Sequence, residues 1–244
     1  MGGRGEFRDV VRQGAVVLAL AGGIISGATG DYGRASDSAS PVVPADYAFT
    51  VWVPVYAGAV AYAAHQARPS RRADALLRRT GWPLAAAVAL SGTWVRLQDP
   101  PVLQLPAVAA TTSAALLALV RAQPRSSAED ESTAARWLVR APVGLLAGWL
   151  TLATTAATTE VLLASGVPTP RWGSDATGAL VLAATAGAAL AAARLPRVGA
   201  YAAAVTWGLA AVAVRGARRW PATAAVAAAG AGAVVLAATA ARDR

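Results

Sequence analysis

The sequence predicts an all-α fold, a polytopic transmembrane helical bundle of about eight spans, on three observations. Apolar residues make up 56% of the 244-residue chain and charged residues only 14%, where a soluble domain carries about 25%. The charges fall between long runs almost free of them, at 13–30, 47–67, 80–95, 100–120, 141–159, 176–193, 198–214 and 221–241. Most of these runs reach the roughly 17–25 residues that cross a bilayer as a helix. With no Cys and one His, the chain offers no disulfide framework, thiolate nucleophile, iron–sulfur ligand set or His-based metal cluster. The net charge of +9 would suggest nucleic acid in a soluble chain. Here it reads as membrane topology, and no nucleic-acid partner is expected.

Arg4, Arg8 and Arg12 precede the first run. Glu6 and Asp9 in that basic segment, and the length of the run, favour a retained first helix over a cleaved signal peptide. A loop rich in Ser, Asp and Pro (31–46) follows, and Asp46 is placed to N-cap the second helix. His65, followed by Gln66 and Arg68, is expected at the cytoplasmic interface. Pro101 and Pro106 open the fourth helix or kink it. Residues 121–140 read as a loop whose acidic run, Glu129, Asp130 and Glu131, is solvated. Two units follow from the pattern, a five-helix core over 1–166 and a three-helix extension over 167–244.

All 22 basic residues are Arg. Eight spans place both termini on one side, with sixteen Arg there and six opposite. Through the first five helices the ratio is twelve to three, so the positive-inside rule puts the N-terminus in the cytoplasm. Arg215, Arg218 and Arg219 fall on the wrong side, which leaves seven spans as the alternative.

Eight Trp residues sort into two groups. Trp82, Trp137, Trp172 and Trp220 stand near helix ends, as in an interfacial belt. Trp52, Trp94, Trp149 and Trp207 lie inside spans, where an indole N–H wants a partner, so they are expected to face the bundle interior or a pocket. Trp52 sits about 8 Å into the second helix at 1.5 Å per residue. Trp94 lies near the outer end of the third helix, and Trp149 near mid-depth in the fifth. Their convergence would make a flat aromatic-walled cavity for a planar apolar ligand; ordinary helix packing is the competing account.

At these residues the chain resembles a known family. Tyr47-Ala-Phe49-Thr-Val-Trp52-Val-Pro-Val-Tyr56 is similar to the W-x-F-x-x-W-x-x-x-Y signature of the tryptophan-rich sensory protein family, also called the translocator protein or peripheral benzodiazepine receptor family. Ser91-Gly-Thr-Trp94 stands in the place of its N-x-x-W, and Pro142 through Trp149 to Ala153 is similar to its fifth-helix segment. The resemblance covers residues 10 to about 166, the five-helix core, and keeps the family's helix order. The helices at 176–241 are similar to a longer bacterial branch whose late helix carries a Trp like Trp207. Four positions depart from the pattern: Tyr47 for the first Trp, Ser91 and Ala157 for Asn, and Leu146 for Tyr. The resemblance implies a bacterial inner-membrane protein that binds a porphyrin or haem-like tetrapyrrole for sensing, sequestration or transport, with no cofactor required. It also implies a ligand site drawn from Tyr47, Phe49, Trp52, Tyr56, Ser91, Trp94 and Trp149.

Glu160 is the one acidic residue well inside an apolar stretch. A water-facing carboxylate near the outer helix end is the plainer reading; a proton or ion site in a small proton-coupled transporter, with the Thr-rich 151–159 segment as a polar path, is the alternative. Gly23-Ile-Ile-Ser-Gly27 and Gly144-Leu-Leu-Ala-Gly148 are small-xxx-small patterns that serve internal packing or a homodimer seam. No phosphate loop, nucleophile elbow or zinc-binding motif occurs. No enzyme is expected; light-driven chemistry on a bound porphyrin is the one enzyme-like route left open. The expected partners are the lipid bilayer and a small hydrophobic ligand.

Overall fold

The computed structural model describes residues 2–29, 38–94, 101–125, 132–165 and 173–241. Among them are eight α-helices and no strand: α1 (Gly2–Thr29), α2 (Trp52–Ala67), α3 (Ala75–Trp94), α4 (Pro101–Ala122), α5 (Ala141–Ala164), α6 (Gly173–Ala193), α7 (Gly199–Gly216) and α8 (Pro221–Ala240). The chain is a multi-pass membrane protein by this pattern. Six helical segments are long and apolar enough to cross a bilayer. The remaining two, α3 and α7, are not among these six. Each lies between neighbours, α3 between α1 and α4 and α7 between α5 and α8. Large apolar side chains such as Leu18, Ile25, Val53, Leu180 and Leu236 stand exposed around the bundle. Water would not tolerate that surface, but lipid does.

Helix α5 is the axis of the molecule. It packs on α2, α4, α6 and α7, and an apolar 18-residue stretch of its span is 72% buried, against 28–39% for such stretches in the other five spans. Small residues set these approaches. A methyl added at Gly148 would lie 2.5 Å from the Tyr201 carbonyl oxygen, and one at Gly144 2.9 Å from the Tyr201 nitrogen. A methyl at Gly23 would collide with Val88 of α3. Both small-xxx-small helices thus use these glycines inside the chain.

Threonines lock the same helices. Thr112 of α4 donates to the Leu150 carbonyl at 3.0 Å and pairs with Thr154 at 2.7 Å, while Thr155 meets Thr185 of α6 at 2.7 Å. Thr151, Thr154, Thr155, Thr158 and Thr159 each also bond the carbonyl four residues back. These hydroxyls are consumed by packing, which leaves them little part in a polar path.

Several local expectations are corrected. Asp46 is not the N-cap: Ala45 is, without a side-chain cap bond, and Asp46 opens a 3-10 turn, Asp46–Val51, ahead of α2. His65 is buried at 4% exposure, because α1 overlies that end of α2. There the Gln13 amide donates to the Gln66 carbonyl, and Gln66 returns a bond to Gln13 O at 3.0 Å. The expected loop at 121–140 is helical from residue 133, through a π-helical turn at Ala135–Arg140 that runs into α5. Arg140 Nε ties this turn to the Ala122 carbonyl at 2.9 Å.

Trp82 and Trp137 are half or more exposed, whereas Trp220 is buried, with the Arg215 and Arg219 guanidiniums 5.0 and 4.6 Å from its ring centre. Trp207, expected inside the bundle, is 42% exposed. Arg34, Arg96, Arg171, Arg242, Arg244, Trp172, the run Glu129–Glu131 and the 166/167 boundary lie outside the described residues.

Candidate ligand-binding cavity

The segment leading into α2 aims its aromatics by its helix type. In a 3-10 turn of three residues per turn, side chains three apart share a face. Phe49 and Trp52 therefore point the same way and Tyr47 points elsewhere. On α5, Trp149, Ala153, Ala156 and Glu160 recur at three- and four-residue steps, a single helical stripe. The two faces meet. Phe49 stands edge-on to Trp149 with centroids 5.6 Å apart and planes at 83°, and Trp52 meets Trp149 at 6.5 Å and 81°.

Between these rings lies a cavity of about 120 Å³ lined by the Val43–Pro44 loop, Phe49, Trp52, Trp94, Gln104, Trp149 and the α5 stripe through Leu152, Ala153, Ala156 and Ala157 to Glu160. Trp149 and Glu160 are eleven residues apart, so the lining stripe extends about 16 Å along α5. Trp94 packs with Val108 and Ala157 at one wall. Its indole N–H is buried with no hydrogen-bond partner among the described residues, and its side chain is only 8% exposed. An orphaned buried donor carries a desolvation cost, and in a cavity wall it is a ready anchor for a ligand acceptor.

Trp52 is also a partition. Its stacked partner Tyr56, 5.2 Å away with planes at 23°, lines a second, smaller cavity of about 20 Å³ together with Trp52, Ser91, Val88, Pro142 and Leu146. Of the expected site residues, Phe49, Trp52, Trp94 and Trp149 share the larger cavity, and Tyr56 and Ser91 belong to the smaller one. Tyr47 lines neither: it is 47% exposed and packs edge-on against Trp207, centroids 5.7 Å apart. Glu160, half-buried near the C-terminal end of α5, lies in the wall of the larger cavity beside the Trp rings. Its register with Trp149 was readable in the sequence. Gln104 was overlooked there, although a lone Gln in the apolar 100–120 run was a signal. The Val43 and Pro44 contributions had no sequence signal, since a loop's position is set by what it packs on.

That position is fixed from α7. Arg215 donates to the carbonyls of Ser40 and Ser38, both at 2.9 Å, and of Val43 at 3.1 Å. Arg215, one of the three arginines that run against the positive-inside count, is thus a structural clamp. Trp207 Nε1 likewise donates to the Ala48 carbonyl at 3.0 Å, holding the 3-10 turn against α7.

A family model described as TSPO-like protein matches residues 14–241, through α6, α7 and α8 as well as the first five helices. No curated protein and no solved structure matches the chain.

Proposed function

We propose that this chain, which belongs to the TSPO-like protein family, binds a planar hydrophobic ligand of the porphyrin or tetrapyrrole type in the cavity between Trp52, Trp94 and Trp149. The binding would serve sensing, sequestration or transport in a bacterial inner membrane, with the N-terminus cytoplasmic. The convergence of three indoles from α2, α3 and α5 on one elongated cavity carries this reading. Flat aromatic walls give large contact area and stacking to a planar ring system. At about 120 Å³ the cavity is on the scale that accepts a single aromatic ring. A macrocycle therefore enters by one edge, or with Trp52 displaced toward the smaller cavity. The reading requires no catalytic group, and light-driven chemistry on a bound porphyrin is tested by illumination with product analysis.

Titration of the detergent-solubilised protein with protoporphyrin, following Trp fluorescence, tests the assignment. Binding weakens at least about tenfold in Trp52→Ala and Trp149→Ala if each ring contributes a stacked contact. Equal affinity in both variants overturns the site. A second reading, a proton-coupled transporter using Glu160, draws on the placement of that carboxylate in the cavity wall. It expects proton-coupled uptake that is abolished in Glu160→Gln, and uptake unchanged in that variant removes it.

A further inference from the structure

We infer that the cavity selects planar aromatic ligands carrying a positive charge, with Glu160 as the counter-ion and the Trp rings as the cation-binding walls. The inference rests on the reading of the cavity as a ligand site. Its lining combines one carboxylate, Glu160, one amide, Gln104, and the rings of Phe49, Trp52, Trp94 and Trp149. No arginine is among the lining residues that the structure describes. The nearby Arg215 is committed to the Ser38, Ser40 and Val43 carbonyls behind the loop wall.

Indole faces carry negative electrostatic potential and attract cations, more strongly once both are desolvated. A carboxylate at membrane depth is costly and is retained where it meets a partner. Among the described residues no ion pair to Glu160 is formed, and the four that are formed gather at the other end of the molecule, on Asp9, Glu6 and Asp74. A ligand cation entering between the rings would supply the missing charge. The Trp94 N–H, buried and without a partner among the described residues, adds a donor for an acceptor atom on the same ligand. The arrangement disfavours a negative group placed beside Glu160, where no arginine among the described lining residues would receive it, so a porphyrin would enter by an edge free of its carboxylates.

Two probes with the same fused-ring skeleton separate charge from shape: N-methylquinolinium, permanently cationic, and quinoline, neutral at pH 8. Each is titrated into the full-length protein in a non-ionic detergent, following Trp fluorescence. N-methylquinolinium is expected to bind at least about tenfold more tightly than quinoline. Glu160→Gln removes the preference and Glu160→Asp retains most of it, while Trp149→Ala weakens both probes. Equal affinities in the unmodified protein, or a preference that survives Glu160→Gln, overturn the charge selection. If the two probes bind equally and still depend on Trp149, the cavity reading stands and this inference alone falls. Quenching by neither probe, or quenching indifferent to Trp149, overturns both.

Discussion

The indole N–H of Trp207 donates to the backbone carbonyl of Ala48 at 3.0 Å, so α7 holds the turn that aims Phe49 and Trp52 at the cavity. The site is thereby supported by a helix that contributes no wall to it. Trp207→Phe keeps the ring against Tyr47 but leaves that carbonyl without its donor. The expected cost is about 1 kcal/mol of stability, read as a lowered melting temperature in detergent. Planar-ligand affinity should fall with it; unchanged affinity would mean that the turn holds its place without α7.

Gly148→Ala tests the α5–α7 approach. The added methyl would meet Tyr201 O at 2.5 Å and the Ala204 side chain at 2.9 Å. Two packed backbones cannot yield cheaply, so a loss of about 1–3 kcal/mol is expected. Gly22→Ala is the matched control, since nothing lies within 4 Å of its added methyl. That variant should be neutral or slightly stabilising, because Ala restricts the unfolded chain.

Arg12 looks like a topology signal in the sequence but is 2% exposed. Its guanidinium donates to Gln66 Oε1 at 3.3 Å, Leu77 O at 3.2 Å and Arg72 O at 3.1 Å. Asp9 beside it takes Arg78 Nε at 2.9 Å. Arg12→Leu should cost about 1–3 kcal/mol for each acceptor left buried, seen as loss of folded protein in size-exclusion chromatography. Arg8→Leu, at an exposed position, should leave the folded yield intact. Equal losses in the two would show that charge count, rather than the buried network, is what matters.

The absence of native cysteine permits a direct test of orientation. Ala217, exposed between α7 and α8, and Ser132, exposed before α5, lie at opposite ends of the bundle. Single cysteines placed there should label oppositely with a membrane-impermeant maleimide. With the N-terminus cytoplasmic, Ala217→Cys reacts in spheroplasts and Ser132→Cys reacts only after permeabilisation. The reverse pattern inverts the topology.

Arg215→Gln should loosen the loop that carries Val43 and Pro44 without changing the labelling of Ala217→Cys. Its effect is expected on ligand affinity, by several-fold, since a wall of the cavity loses its clamp. A shift in labelling with unchanged affinity would return Arg215 to a topological role.

The helices were legible because bilayer thickness imposes length and apolarity on each span independently of its neighbours. The all-α membrane bundle and the family, through the ordered Tyr47–Tyr56, Ser91–Trp94 and Pro142–Trp149 segments, were readable from the residues alone. The register of Trp149 with Glu160 was also present in the sequence, as an eleven-residue helical repeat. Other features were decided only by packing: Tyr47 against Trp207 and away from the cavity, Trp220 enclosed by two guanidiniums, Arg12 and Arg215 as clamps, and Trp52 as a wall between two spaces. Each depends on which helix lies alongside and on the turn of the segment around its own axis. Neither is encoded in hydropathy, because lipid and a neighbouring helix of Ala, Gly and Thr present similarly apolar surroundings to a side chain.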